Sequence, residues 1–230
     1  MNRDPISILL VEDSEPDALL TRKILSRSST PFAVEWAASY RAALEILTTT
    51  AFDAVLIDLH LDEFDGIQLI RAAWQAGCKS PMIVLTGESD INVEVESIHA
   101  GAADYLVKGQ FDSILIERVV RHAIERQRTR LALSEERQRL QTLLDNLPDV
   151  IYFKDRSSRF ILCNASLLRL LGVDTLEQAL GKTDSDFFPA ALAAQYREDE
   201  RRIVETGQAL INKEETVVDP SGRIRWILTS

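Results

Sequence analysis

Four apolar runs in this 230-residue chain end in residues capable of chemistry. Glu12 and Asp13 follow "ILLV", Asp58 sits in "LIDLHL", Thr86 closes "IVLT", and Lys108 follows "YLV". Adjacent carboxylates at one edge repel, by about 3 kcal/mol for a pair roughly 5 Å apart at an effective dielectric near 20. Oxygen ligands with no His or Cys among them suit Mg²⁺, which keeps several waters and takes one or two carboxylates plus phosphate oxygens. A carboxylate beside that cation can serve as nucleophile in phosphoryl transfer, giving an aspartyl phosphate. A lysine and a hydroxyl then neutralise and hydrogen-bond the transferred oxygens. Taken singly, each residue has a plainer use as helix cap, solvated surface group or turn starter. Their recurrence at successive run ends is what points to one site.

The elements that must position them follow from periodicity. Between Ile6 and about Gln127, the runs "SILLV", "FAVEWA", "DAVLIDL", "PMIVLT" and "DYLV" read as strands. Helical spacing is predicted near 17–28, 40–49, 66–76, 90–100 and 112–127. Strands alternating with helices imply βαβ units and a doubly wound, five-stranded parallel sheet covered on both faces. Sites in such α/β folds form beyond the carboxyl ends of the strands, where strand order reverses.

From Asp112 to about Leu147 the chain has no Gly or Pro and predicts one continuous helix, roughly 50 Å long. Ile124 and Leu131 are one heptad apart, whereas Leu133, Leu140, Leu144 and Leu147 follow another phase, so a stutter or break is expected near Ser134. Pairing of this segment as a parallel coiled-coil homodimer is the expectation, and a mixed-charge helix lying on its own domains is the alternative. Pro148 ends the helix. "VIYFK" and "RFILC" then read as a hairpin, helical pieces follow through Glu205, and "EETVVD" and "RIRWILTS" read as a second hairpin around Pro220–Ser221–Gly222. That order describes an α+β domain with an antiparallel sheet. The expected organisation is 1–127, 128–146 as helical linker, and 147–230. Because the last strand lacks a partner, a longer parent protein is expected.

Composition narrows the function. A net charge of −10 and a pI near 4.9 argue against nucleic-acid binding, which needs clustered Lys and Arg. Cys78 and Cys163 form no CxxC or Cys/His cluster, so neither a disulfide framework nor zinc is indicated. The N-terminus "MNRDPIS" is unlike a signal peptide, and no run approaches the roughly 18 apolar residues of a membrane span. No membrane association and a cytoplasmic location are expected.

With those residues in place, 6–127 resembles the receiver domain of two-component response regulators. The resemblance implies that Asp58 is the phosphoacceptor and that Glu12, Asp13, Asp58 and the backbone carbonyl of His60 hold Mg²⁺. It implies that Thr86 and Lys108 contact the phosphoryl group and that Tyr105 couples its rotamer to Thr86 on activation; Tyr105 also reads as an ordinary strand aromatic. The donor partner implied is a histidine kinase or phosphotransfer protein, and the chain would be a phosphoacceptor regulator rather than an enzyme with turnover. Gly109 stands where the family usually has Pro, so a trans bond is expected after Lys108. Asp62 likewise replaces a common Pro. His60 and Glu88 border the site and are candidates for tuning hydrolysis.

Residues from about 145 onward resemble a PAS sensory domain, through "NLPDVIYFKD", "RFILCNASLLRLLG", "GKTDSDFFP" and "DPSGRIRWI". His60, His99 and His122 all precede it, which removes the usual haem ligand. Cys163 lies on a strand, not in the helix motif of a photoactive flavin domain, so neither haem nor flavin is expected. A downstream output module is expected, although no nucleotide loop, helix-turn-helix or GGDEF-type motif occurs here. Two alternatives compete. A phosphohydrolase resembling the haloacid dehalogenase family would need an acidic residue where His60 stands, and an interaction scaffold would act through the linker without phosphorylation.

Overall fold

The computed structural model describes residues 4–61, 64–87, 91–218 and 223–230. The turn around Pro220, Asp62 and Glu88 lie outside those residues. The chain divides into two units, 1–133 and 134–230.

In the first unit, strands β1 (Ile6–Val11), β2 (Phe32–Ala37), β3 (Ala54–Asp58), β4 (Met82–Thr86) and β5 (Asp104–Val107) form one parallel sheet in the order β2-β1-β3-β4-β5. Helices α1 (Glu15–Leu25), α2 (Tyr40–Thr49), α3 (Gly66–Gln75), α4 (Ile91–His99) and α5 (Ser113–Asp145) alternate with them. Side chains alternate across a strand, which sorts β1 between two cores. Ile8 and Leu10 join Ala18, Leu25, Ile116 and Val120 from α1 and α5. Leu9 and Val11 join Ala43, Leu47, Leu69 and Ile70 from α2 and α3. Burial on both faces explains why the inner strands β3 and β4 and most of β1 read as continuous apolar runs, whereas the edge strand β2 alternates and carries Glu35. The sheet runs from β1 outward to β2, then returns across β1 to β3, so the ends of β1 and β3 flank the reversal.

Helix α1 begins at Glu15, earlier than its periodicity predicts, because Pro16 is tolerated in the first turn of a helix. A short ladder between His60–Leu61 and Phe64–Asp65, not anticipated from sequence, bridges β3 and α3. Asp65 caps α3 by accepting from the Ile67 N–H at 2.9 Å. Helix α5 is one element of 33 residues that runs through Ser134, so of the expected stutter or break the backbone shows no break. No cis peptide occurs among the described residues, so Lys108–Gly109 is trans, with Gly109 at φ +77°.

In the second unit, β6 (Tyr152–Lys154) pairs antiparallel with β7 (Phe160–Cys163), and β8 (Lys213–Val218) with β9 (Ile224–Thr229). These form two separate ladders. Helices α6 (Ala165–Leu171), α7 (Leu176–Ala179) and α8 (Ala190–Thr206) complete the unit. Phe160, Cys163, Leu167 and Ala179 form its core. Asn164, fully buried, accepts from the N–H groups of Ile151 and Leu167 and donates to the carbonyls of Leu144 and Asp149, so one amide ties the end of α5 to the start of α6. Asp145 adds a bond from the Ala165 N–H at 2.7 Å.

Candidate functional site

The carboxyl edge of the first sheet gathers the predicted residues. Glu12 and Asp13 lie just past β1 and Asp58 ends β3, and their carboxylate oxygens come within 4.8 Å of one another. Glu12 and Asp58 are buried, and Asp13 is half-buried. Lys108, just past β5, donates to Glu12 at 2.7 Å, Asp58 at 2.9 Å and Asp17 at 3.1 Å. Those contacts engage all three protons of its ammonium group.

The neighbours of the edge are set by strand pairing. Thr86 is buried at the end of β4, and its carbonyl accepts from the Lys108 N–H at 2.7 Å. Tyr105 is half-buried on β5, against the core shared with α2 and α3. His60 stands two residues past Asp58 with its side chain exposed, in the short ladder with Asp65. Glu12, Asp13, Asp58, Thr86 and Lys108 therefore share this edge and His60 lies in the loop leaving it, whereas Tyr105 sits within β5, paired with Val84.

Electrostatics follow from burial. Removing Glu12 from water pushes its carboxyl up to about 7; the hydrogen bond from Lys108 opposes this and the negative charge of Asp58 adds to it. Burial alone would lower Lys108, but its hydrogen bonds to Glu12 and Asp58 outweigh that and hold the ammonium above its ordinary range.

Three contributors escaped sequence reasoning. Asp17, in the first turn of α1, reads there as a residue favoured by the helix dipole; its contact with Lys108 spans 91 positions. Trp36 donates its indole N–H to the Glu12 carbonyl at 2.7 Å, fixing the backbone of the acidic pair. Gly66 passes so close to β3 that an added Cβ would lie 2.3 Å from the Asp58 carbonyl oxygen. A glycine opening a helix, where it is a poor former, was the available signal for the last.

A parallel five-stranded sheet with this acidic and basic edge defines a response regulator receiver. Comparison with known proteins agrees: the response regulator receiver domain family matches residues 8–120, and the PAS fold matches residues 144–230. The transcriptional regulatory protein FixJ of Rhizobium meliloti is 31% identical over 155 residues, covering 63% of this chain and 72% of that protein. Response regulator MprA of Mycolicibacterium vanbaalenii is 33% identical over 104 residues, or 45% of this chain, which spans only 44% of that relative's length. The signal receiver domain of a Luxo repressor protein from Vibrio parahaemolyticus shares the fold, at 21% identity and a TM-score of 0.50, covering 56% of this chain and 97% of that one. The chain belongs to the response regulator family, with a receiver domain followed by a PAS domain. No helix among the described residues is long and apolar enough to cross a membrane.

Proposed function

We propose that the receiver accepts a phosphoryl group on Asp58 from a histidine kinase or phosphotransfer protein. The observation that carries this reading is the Asp58 carboxylate lying 2.9 Å from Lys108 Nζ inside a cluster of three carboxylates. In the transfer, an Asp58 oxygen bonds to phosphorus while the bond to the donor's leaving atom breaks, and that atom departs with the electron pair.

The donor set fits Mg²⁺: Glu12, Asp13 and Asp58 offer hard oxygens, with no His or Cys side chain in the cluster. The His60 carbonyl is a further ligand in this reading. When bound, the cation neutralises charge on the phosphoryl oxygens. Lys108 supplies the second positive charge, and the Thr86 hydroxyl donates to a phosphoryl oxygen. Tyr105 then follows Thr86 as the switch aromatic.

Phosphorylation acts as a local charge change that biases a two-state element. The segment 128–146 relays that bias to the PAS domain and to a downstream output. The receiver catalyses only its own phosphorylation and dephosphorylation, in the cytoplasm, and needs no nucleic acid, membrane, haem or flavin. Intact mass after incubation with Mg²⁺ and a small phosphodonor tests the reading: one added phosphoryl group in wild type and none in Asp58→Asn. Equal masses overturn it.

A second reading, pairing through the linker without phosphorylation, has its own observation. Leu133, Leu140 and Leu143 on α5 are exposed large apolar residues. Light scattering of the eluting protein tests it: a dimer that Leu140→Glu converts to monomer is expected, and a wild-type monomer refutes pairing.

A further inference from the structure

Lys108 is shared among three carboxylates, and they are not equivalent. Glu12 and Asp58 are buried at the sheet edge, whereas Asp17 is half-exposed on α1, with 47% of its side chain accessible. An ammonium has three N–H donors and no acceptor. With all of them engaged, a phosphoryl oxygen on Asp58 can be bound by Lys108 only in exchange for one of the present partners. Asp17 is the partner that water compensates most readily, since its carboxylate remains solvated when the contact breaks.

We propose that Asp17 is a positioning residue that holds Lys108 in reserve, and that phosphoryl transfer to Asp58 proceeds by exchanging Asp17 for a phosphoryl oxygen on Lys108. This deepens the reading of Asp58 as phosphoacceptor and rests on it. Asp17 touches no reacting atom. It acts through Lys108, as an internal anion competing with the incoming one. Its location four residues after Asp13, with α1 starting at Glu15, is what turns a first-turn carboxylate toward the edge.

The test uses the full chain with saturating Mg²⁺ and a small anionic phosphodonor such as acetyl phosphate, following intact mass with time. Asp17→Asn, nearly the same shape without the charge, is expected to raise the phosphorylation rate constant roughly threefold, the factor for loss of one partly exposed ion pair. Its melting temperature should match wild type, and Asp17→Glu should restore the slower rate. A merely structural role would move the melting temperature and would not produce a faster reaction. Wild type modified at Asp58 with Asp17→Asn equal or slower overturns the exchange and leaves the phosphoacceptor reading standing. So does an Asp17→Glu variant as fast as Asp17→Asn, because the carboxylate would then not be the competing group. Wild type that takes no phosphoryl group at Asp58 overturns both.

Discussion

The indole N–H of Trp36 donates to the backbone carbonyl of Glu12 at 2.7 Å, linking the end of β2 to the acidic pair. Mg²⁺ binding at Glu12 and Asp13 should therefore change the environment of this indole. In a chain carrying Trp74→Phe and Trp226→Phe, titration with Mg²⁺ is expected to give a saturable change in Trp36 emission. Asp13→Ala should abolish it. A response retained in Asp13→Ala would place the cation elsewhere.

Gly66 is constrained by the approach of one backbone to another. Its missing side chain would meet the Asp58 carbonyl oxygen at 2.3 Å and the Leu59 Cα at 3.1 Å. Neither atom belongs to a flexible side chain. Gly66→Ala is expected to cost about 1–3 kcal/mol by overpacking and to displace Asp58. Urea denaturation gives the first quantity and phosphorylation rate the second. Wild-type values for both would contradict the close approach.

Glu12 makes stability depend on pH. Its folded value of about 7 lies above the ordinary 4.5, chiefly through burial. Between those values the folded chain retains a proton that the unfolded chain has released. The contribution is thus fully present below about 4.5 and is lost as pH rises through about 7. Under chelating conditions, the stability of Glu12→Gln relative to wild type is expected to improve from pH 5 to about pH 7 and then to level off. A pH-independent difference would falsify the assignment.

In the PAS domain the counterpart is Lys154. Its ammonium lies 2.5 Å from both Asp184 and Glu200 and 4.5 Å from the centre of the Phe160 ring. Burial pushes the Asp184 carboxyl up while Lys154 pulls it down. Lys154→Met strands two carboxylates and should destabilise the domain by about 3–5 kcal/mol, as for other broken buried pairs. Adding Asp184→Asn should recover part of the loss. Denaturant midpoints of the single and double variants decide it, and additive losses would argue against coupling.

These four sites show what a linear reading catches. Glu12, Asp13, Asp58, Thr86 and Lys108 were legible because strands buried on both faces make unbroken apolar runs, and each chemical residue punctuates the end of one. The long helix was legible from the lack of Gly and Pro. Asp17 and Gly66 were not, since each depends on a crossing between elements: a salt bridge spanning 91 positions and a backbone approach between β3 and α3. Lys154 reads as a solvent-facing strand lysine until its partners, 30 and 46 residues away, cover it. Helix α1 starts two residues before the apolar periodicity does, because its opening residues Glu15 and Pro16 carry no apolar signal.

Helix α5 runs from Ser113 to Asp145 as one element, and Asn164 grips its last turn. An unbroken helix makes length and azimuth a single variable: each residue added or removed turns everything beyond it by about 100° and shifts it by about 1.5 Å. Seven extra residues nearly restore the original phase, whereas four leave a residual turn of about 40°. The number of residues in α5 thereby fixes which of its faces carries the Leu144 carbonyl that Asn164 holds.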